Sequence, residues 1–164
     1  MIFIYAGPVH LLASFIEVGG PARSKMLAMS PGSGRKRILF VDDDEETRCM
    51  MRALLHDYGY EAVIAESVSD ALAKATTGGF SLCILDHWFT ESNGLELCKQ
   101  IRAFDSATPI MFYSAAAYET DIQKGMDAGA GAYLVKPDFD QLKPTIDRLI
   151  DEAQLPNLGA LLPE

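Results

Sequence analysis

The sequence carries little positive charge. Lys and Arg number 14 against 23 Asp and Glu, which leaves a formal net charge of −9. A protein that binds nucleic acid needs a basic face, because contacts to the phosphate backbone dominate the affinity. The composition therefore predicts no direct contact between this chain and nucleic acid.

Cysteine and histidine are also scarce. The three cysteines, Cys49, Cys83 and Cys98, form no CxxC pair, and none of the three histidines stands at metal-ligand spacing. This pattern argues against a disulfide framework and a zinc site, and it indicates a reducing, cytoplasmic location. Cys83, in an apolar run, and Cys98, at helical spacing from Leu95 and Ile101, are interpreted as packing residues, a role that free cysteine often fills.

No apolar stretch is long enough to cross a bilayer as a helix. Residues 1–18 are apolar but short, are interrupted by polar residues, and lack the positive start of a secretory signal. Gly, Pro and Ser then accumulate up to residue 34, which is typical of a linker. We therefore expect no membrane span and a flexible leader over residues 1–35, with Met26 and Met29 as alternative starts of translation.

From residue 36 onward, apolar runs alternate with amphipathic segments. The runs, which are typical of buried parallel strands, occupy residues 38–41, 62–65, 80–85, 109–113 and 132–135. Between them, apolar residues recur every three or four positions, as they do on helices. This alternation predicts an α/β domain over residues 36–154, with a doubly wound parallel sheet of five strands covered by helices on both faces. A short tail over residues 155–164 would follow.

Polar side chains follow four of the predicted strands where each strand ends. They are Asp42, Asp43 and Asp44 after the first strand, Asp86 after the third, Ser114 at the fourth and Lys136 at the fifth. Parallel sheets bind ligands beyond these carboxyl ends, so the groups are predicted to share one site. Asp44 is also expected to cap the first helix.

The crowded carboxylates require a cation. Two of them about 4 Å apart repel by roughly 4 kcal/mol at an effective dielectric constant of about 20. Oxygen ligands suit Mg²⁺, for which Mn²⁺ is a plausible substitute. An aspartate can accept a phosphoryl group as a nucleophile, and an ammonium and a hydroxyl can neutralise that group during transfer. The strand ends therefore predict a metal-dependent phosphoryl site.

The same residues resemble a known family. Over residues 36 to about 153 the chain is similar to the receiver domain of bacterial two-component response regulators. The similarity lies in five motifs in the family's order: Asp42-Asp43, Leu85-Asp86, Gly94 eight residues after Asp86, Ser114-Ala115, and residues 133–137 ending in Lys136-Pro137. It implies a flavodoxin-like (βα)5 fold with strand order 2-1-3-4-5.

The resemblance also implies roles for the acidic residues. Asp86 would accept a phosphoryl group from the phosphohistidine of a sensor histidine kinase or a histidine phosphotransfer protein. Asp43 would ligate Mg²⁺ directly, and Asp42, Asp86 and the backbone carbonyl of Trp88 would complete the metal site. The chain would be a signalling switch rather than an enzyme that turns over a substrate.

Further roles follow for the residues at the fourth and fifth strands. Ser114 and Lys136 would hold the phosphoryl oxygens, and Tyr133 would be an aromatic switch that turns inward when Ser114 moves. The Lys136–Pro137 bond would be cis, as is common in the family. The surface from the fourth helix to the fifth would bind a downstream protein partner. We expect a stand-alone receiver, since few residues follow the last helix.

Two features depart from the family pattern. The family usually has proline four residues after the acceptor, whereas this sequence has Thr90. The loop of residues 87–90 is also bulky. His87 beside the acceptor is interpreted as a surface loop side chain rather than a relay histidine, because relay histidines usually lie on helical bundles.

Two other functions remain open at this point. A haloacid-dehalogenase-like phosphatase also uses a nucleophilic aspartate and Mg²⁺, but its DxDxT motif would need threonine where this chain has Glu46. A receiver-like scaffold would bind a partner without phosphorylation. Turnover of a small phosphate ester would indicate the first, and failure to take up a phosphoryl group would indicate the second.

Overall fold

The computed structural model describes residues 34–90 and 93–155. In this part of the chain, strands and helices alternate strictly. The strands are β1 (Arg37–Val41), β2 (Glu61–Ala65), β3 (Leu82–Leu85), β4 (Ile110–Ser114) and β5 (Ala132–Val135). The helices are α1 (Glu45–Asp57), α2 (Val68–Ala75), α3 (Gly94–Phe104), α4 (Glu119–Asp127) and α5 (Phe139–Gln154). The predicted leader up to residue 33, and the tail from residue 156, lie outside the described residues.

The five strands form one parallel sheet in the order β2-β1-β3-β4-β5. In β1, Leu39 pairs with Val63 of β2 on one side and with Cys83 of β3 on the other. At the opposite edge, Ser114 of β4 pairs with Val135 of β5. The flavodoxin-like fold and its strand order are confirmed.

Alternate residues of each strand enter two separate cores. Phe40 and Ile84 belong to a cluster that includes Met51 of α1 and Ile146 of α5. Their neighbours Leu39 and Leu85 belong to a second cluster with residues of α2 and α3. Successive strand side chains point to opposite faces, and each face carries one of these clusters. The sheet is therefore buried on both sides. This explains why the strands read as continuous apolar runs.

The first helix shows how the sequence sets its ends. The Asp44 carboxylate accepts a hydrogen bond from the amide of Thr47 at 2.7 Å, which confirms the predicted N-cap. Gly59, just beyond the helix, has φ = 91°, a conformation that side chains other than glycine rarely adopt. None of the helices within the described ranges is long and apolar enough to span a membrane.

Strand ends differ from the sequence-based expectations by one or two residues. The strand predicted over residues 80–85 is shorter, because β3 begins at Leu82. Cys83 and Cys98 are buried as expected, whereas Cys49 lies exposed on α1.

Candidate functional site

The carboxyl ends of the strands bring the predicted groups together through backbone hydrogen bonds. The amide of Asp86 donates to the carbonyl of Val41 at 2.9 Å, which fixes the end of β3 beside β1. The amide of Lys136 donates to the carbonyl of Ser114 at 2.9 Å, which fixes the end of β5 beside β4. The site therefore stands on the sheet itself, and its backbone positions are as rigid as the strand pairing.

Three carboxylates form a compact cluster at this edge. Asp42, Asp43 and Asp86 each place an oxygen within 4.8 Å of the other two. Asp42 and Asp86 are 1% and 9% exposed, whereas Asp43 faces solvent. A set of hard oxygen donors with one side open to water suits a small divalent cation that keeps part of its hydration shell. The residues present fit Mg²⁺.

Lys136 supplies positive charge to the same cluster. Its Nζ lies 2.6 Å from Oδ2 of Asp42 and 3.3 Å from Oδ1 of Asp86. One ammonium thus bridges two carboxylates that belong to different strands. It offsets only part of the negative charge of three aspartates, so the site keeps an excess of negative charge that a cation would reduce.

The two neighbouring aspartates have opposite electrostatic environments. Burial raises the pKa of Asp42, although hydrogen bonds from Lys136 and from the amide of Asp44 oppose this effect. The pKa of Asp43 is instead lowered, chiefly by the hydrogen bond from the Thr90 side chain. The exposed carboxylate is therefore the one that its surroundings favour in the charged form.

Thr90 is a contact that the sequence analysis missed. Its amide and its hydroxyl both donate to Oδ2 of Asp43, at 2.7 Å and 2.6 Å. Proline, which is usual at this position in the family that the sequence resembles, has neither donor. The departure thus adds two hydrogen bonds to a predicted metal ligand. A donor residue in place of proline was the available signal, but the path of the loop was needed to identify its acceptor.

Gly94 has a steric reason for its place in the motif. A Cβ at this position would lie 2.0 Å from the backbone oxygen of Asp86. The amide of Gly94 also donates to the carbonyl of His87 at 2.8 Å. The first turn of α3 therefore packs directly against the acceptor backbone, and only glycine permits that approach.

Ser114 is the last residue of β4, and Tyr133 lies within the neighbouring strand β5. Ser114 is 1% exposed, and its Oγ accepts a long hydrogen bond of 3.4 Å from the amide of Ala116. The Tyr133 ring is half-buried, and its hydroxyl donates to the carbonyl of Ala116 at 2.9 Å. Burial raises the pKa of Tyr133. Both side chains thus contact the segment that leads from β4 into α4.

His87 corrects one prediction. It was expected to be a surface loop side chain, but it is 1% exposed, and its Nδ1 lies 3.0 Å from the Tyr133 hydroxyl. Its ring centroid is also 5.7 Å from that of Phe112. His87 therefore joins Phe112 and Tyr133 of the second core cluster instead of facing solvent.

Trp88 turns the other way. Its side chain is 56% exposed, and its ring stacks on that of His87 with centroids 4.9 Å apart. Its backbone forms an isolated antiparallel bridge with Asn93, which closes the loop after β3. The Lys136–Pro137 bond is cis, in agreement with the expectation drawn from the sequence.

Known proteins are similar to this chain in sequence. Residues 38–147 match the sequence family described as the response regulator receiver domain. The transcriptional regulatory protein ZraR of Salmonella typhimurium is 36% identical over 131 residues, which cover 79% of this chain and 29% of ZraR. The nisin biosynthesis regulatory protein NisR of Lactococcus lactis is 38% identical over 101 residues, which cover 62% of this chain and 44% of NisR.

These relatives are much longer than the matched stretch, since the chain spans less than half of either one. Both are named as regulatory proteins, and ZraR as a transcriptional one. The similarity therefore gives no support to two expectations drawn from the sequence, namely a stand-alone receiver and no contact with nucleic acid. It bears on the receiver portion only.

Solved structures agree with the sequence match. The chemotaxis protein CheY4 of Vibrio cholerae has a TM-score of 0.65 at 32% identity and covers 71% of this chain and 99% of its own. The response regulator TrrA of Thermotoga maritima, solved in complex with Mg²⁺ and a beryllium fluoride, has a TM-score of 0.64 at 35% identity. That match covers 70% of this chain and 98% of TrrA.

Proposed function

We propose that this chain, which belongs to the family of response regulator receiver domains, is a switch that accepts a phosphoryl group on Asp86. One observation carries the proposal. The Lys136 ammonium lies 2.6 Å from Asp42 and 3.3 Å from Asp86, in a cluster that Asp43 completes. Phosphoryl transfer needs a nucleophilic carboxylate, a cation site and a positive charge on a long side chain.

The transfer would proceed by attack of one Asp86 carboxylate oxygen on the phosphorus of a phosphohistidine. The new O–P bond gives an acyl phosphate, and the N–P bond breaks with its electron pair remaining on the imidazole nitrogen. Lys136 would shift from the carboxylates toward the incoming phosphoryl oxygens, and the Ser114 hydroxyl would donate to another of them. Because both residues stand at strand ends beside the acceptor, only their side chains need to move during transfer.

Asp42, Asp43, Asp86 and the carbonyl of Trp88 would hold Mg²⁺, and Mn²⁺ would be an acceptable substitute. When bound, the metal would offset negative charge on the carboxylates and on the transferred group. The protein's own contribution is to keep Asp43 exposed to solvent and, as its lowered pKa indicates, ionised. The Thr90 hydrogen bonds that lower this pKa are made to Oδ2, and a cation would compete with them.

The phosphoryl donor would be a sensor histidine kinase or a histidine phosphotransfer protein. The response would pass to a protein partner through the face formed by α4, β5 and α5. Large apolar side chains are exposed on and beside these elements, including Tyr118 (78%), Phe139 (42%) and Met126 (39%). Exposed apolar groups of this size at the rim of a switch suit a transient protein interface.

A switch that is phosphorylated on its own aspartate fits the site better than a phosphatase that turns over substrates. Glu46, which stands where a dehalogenase-like enzyme needs threonine, lies in the first turn of α1 and is exposed. Hydrolysis of the acyl phosphate on Asp86, with no further substrate, would reset the switch. Self-phosphorylation from a small donor would be its only other chemistry.

Intact-mass spectrometry tests the acceptor. With Mg²⁺ and acetyl phosphate, the full chain should gain one base-labile phosphoryl group, and Asp86→Asn should gain none. Asp57→Asn, which removes an exposed carboxylate at the end of α1, is the matched control and should label like the wild type. Labelling of Asp86→Asn at the wild-type level would show that the acceptor lies elsewhere, and no labelling of the wild type would favour a scaffold.

A further inference from the structure

His87 is a buried polar residue surrounded by aromatic rings. Its ring lies between Trp88, which stacks on it, and Phe112 and Tyr133, whose centroids are 5.7 Å and 6.0 Å away. Only 1% of the residue is exposed. A polar ring enclosed in this way is costly to bury unless a hydrogen bond compensates for it.

The hydrogen bonds around the Tyr133 hydroxyl fix the role of His87. The hydroxyl has one proton, and it donates that proton to the carbonyl of Ala116, which can only accept. The bond between the Tyr133 oxygen and Nδ1 of His87 must therefore run the other way, with His87 as the donor. The proton of the neutral ring lies on Nδ1, and the buried Nε2 has no hydrogen-bond partner among the described residues.

The Tyr133 ring in turn determines how closely α4 packs. A Cβ on Gly125 of α4 would lie 2.8 Å from Cδ2 of Tyr133, so the helix backbone rests on the ring. Phe112 stacks on the other part of the ring, with centroids 5.5 Å apart. An outward turn of Tyr133 would open this contact, and it would leave the Nδ1 proton of His87 buried without an acceptor.

We propose that His87 is a positioning residue which holds Tyr133 inward through its Nδ1 proton. The inward ring is thereby favoured before any phosphoryl group is present. His87, next to the acceptor, would thus set the fraction of molecules whose α4–β5–α5 face has its signalling arrangement before phosphorylation. This regulation rests on the proposed receiver function and on the switch role that the family resemblance implies for Tyr133.

Fluorine NMR of protein labelled with 3-fluorotyrosine tests this coupling. The Tyr133 resonance is assigned by its loss in Tyr133→Phe, and the full chain is compared with His87→Phe, which keeps a ring without a donor. His87→Asn is the matched control, because its amide nitrogen takes nearly the place of Nδ1 and can donate to Tyr133. We expect His87→Phe to lower the ratio of inward to outward Tyr133 about tenfold, the effect of losing one buried hydrogen bond. His87→Asn should restore it.

The outcomes separate this inference from the proposed function. Beryllofluoride with Mg²⁺ should return Tyr133 to the inward position in His87→Phe. If calorimetry shows no Mg²⁺-dependent binding of beryllofluoride to the wild type, the receiver function itself fails. If the wild type binds beryllofluoride and Tyr133 is unchanged in His87→Phe, the role of His87 is refuted. Long-range ¹H–¹⁵N NMR of the unmodified protein gives a test without substitutions, because a proton on Nε2 rather than Nδ1 would also overturn the proposal.

Discussion

At the scale of single residues, the site depends on small differences between adjacent side chains. Asp42 and Asp43 are neighbours in sequence, yet the buried one has a raised pKa and the exposed one a lowered pKa. Asp42 is paired with an ammonium at 2.6 Å, and Asp43 accepts two hydrogen bonds from one threonine. An incoming cation therefore competes with Thr90 for Asp43, and with Lys136 for Asp42.

Thr90 should consequently weaken metal binding. In Thr90→Val the hydroxyl bond to Asp43 is lost while the shape of the side chain is kept. A hydrogen bond to a charged group contributes about 1.5–3 kcal/mol, so full release of the hydroxyl bond would raise Mg²⁺ affinity by about tenfold to 150-fold. Isothermal titration calorimetry measures the change directly.

Thr90→Ser is the matched control, because it keeps both the amide and the hydroxyl donor, and it should bind Mg²⁺ like the wild type. Weaker binding by Thr90→Val would contradict the expected competition. It would mean that the Thr90 hydroxyl orients the Asp43 carboxylate toward the metal instead of competing with the metal for that carboxylate.

The residues of the site were predictable to different extents. Asp42, Asp86 and Lys136 follow directly after strands, so their meeting at one edge follows from the parallel sheet. The contacts of Thr90 and His87 were not predictable, because both depend on the path of a loop. Apolar periodicity identifies a strand, but it does not give the path of the loop that follows it.

At the scale of elements, the approach of α3 to β3 fixes the acceptor loop. Gly94→Ala would place a methyl group 2.0 Å from the Asp86 backbone oxygen. Backbone cannot yield as a flexible side chain does, so α3 or the loop must shift. We expect the free energy of unfolding to fall by about 1–3 kcal/mol, the usual cost of overpacking.

Urea denaturation measures this loss, and Gly34→Ala serves as the matched control. A Cβ on Gly34 would meet nothing within 4 Å, so this variant should unfold like the wild type. Phosphoryl uptake by Gly94→Ala should also be slower, because the Asp86 backbone moves with the helix. Equal stability of the two glycine variants would show that α3 does not press on the acceptor.

The order of the elements was the part most accessible from sequence. β5 was predicted at its observed bounds, since Ala132–Val135 is a compact apolar run between turn residues. β3 was predicted too long because Phe80 extends the apolar run, although the backbone pairs as a strand only from Leu82. Strand ends are set by hydrogen bonding to neighbours, which composition does not encode.

At the scale of the whole molecule, the alternation of strands and helices begins at Arg37. Both core clusters draw on buried residues between Ile38 and Ile150. Removal of Met1–Ser33 should therefore leave the cooperative thermal unfolding transition unchanged. Differential scanning calorimetry of the truncated and full chains measures this. A truncated chain that unfolds without cooperativity would place part of the leader in the core.

Metal binding should also stabilise the whole fold, since a ligand that binds only the native state shifts the unfolding equilibrium. At a Mg²⁺ concentration of about 100 times Kd, the gain is about 2.7 kcal/mol, which corresponds to a rise in Tm of roughly 10 °C for a domain of this size. A chain with a net charge of −9 would also gain some stability from general screening by any salt. The measurement therefore compares MgCl₂ with NaCl at equal ionic strength. Asp43→Ala should lose the Mg²⁺-specific rise and keep the response to NaCl, whereas Asp57→Asn should keep both. Equal stabilisation of the wild type by the two salts would mean that the carboxylate cluster holds no specific metal.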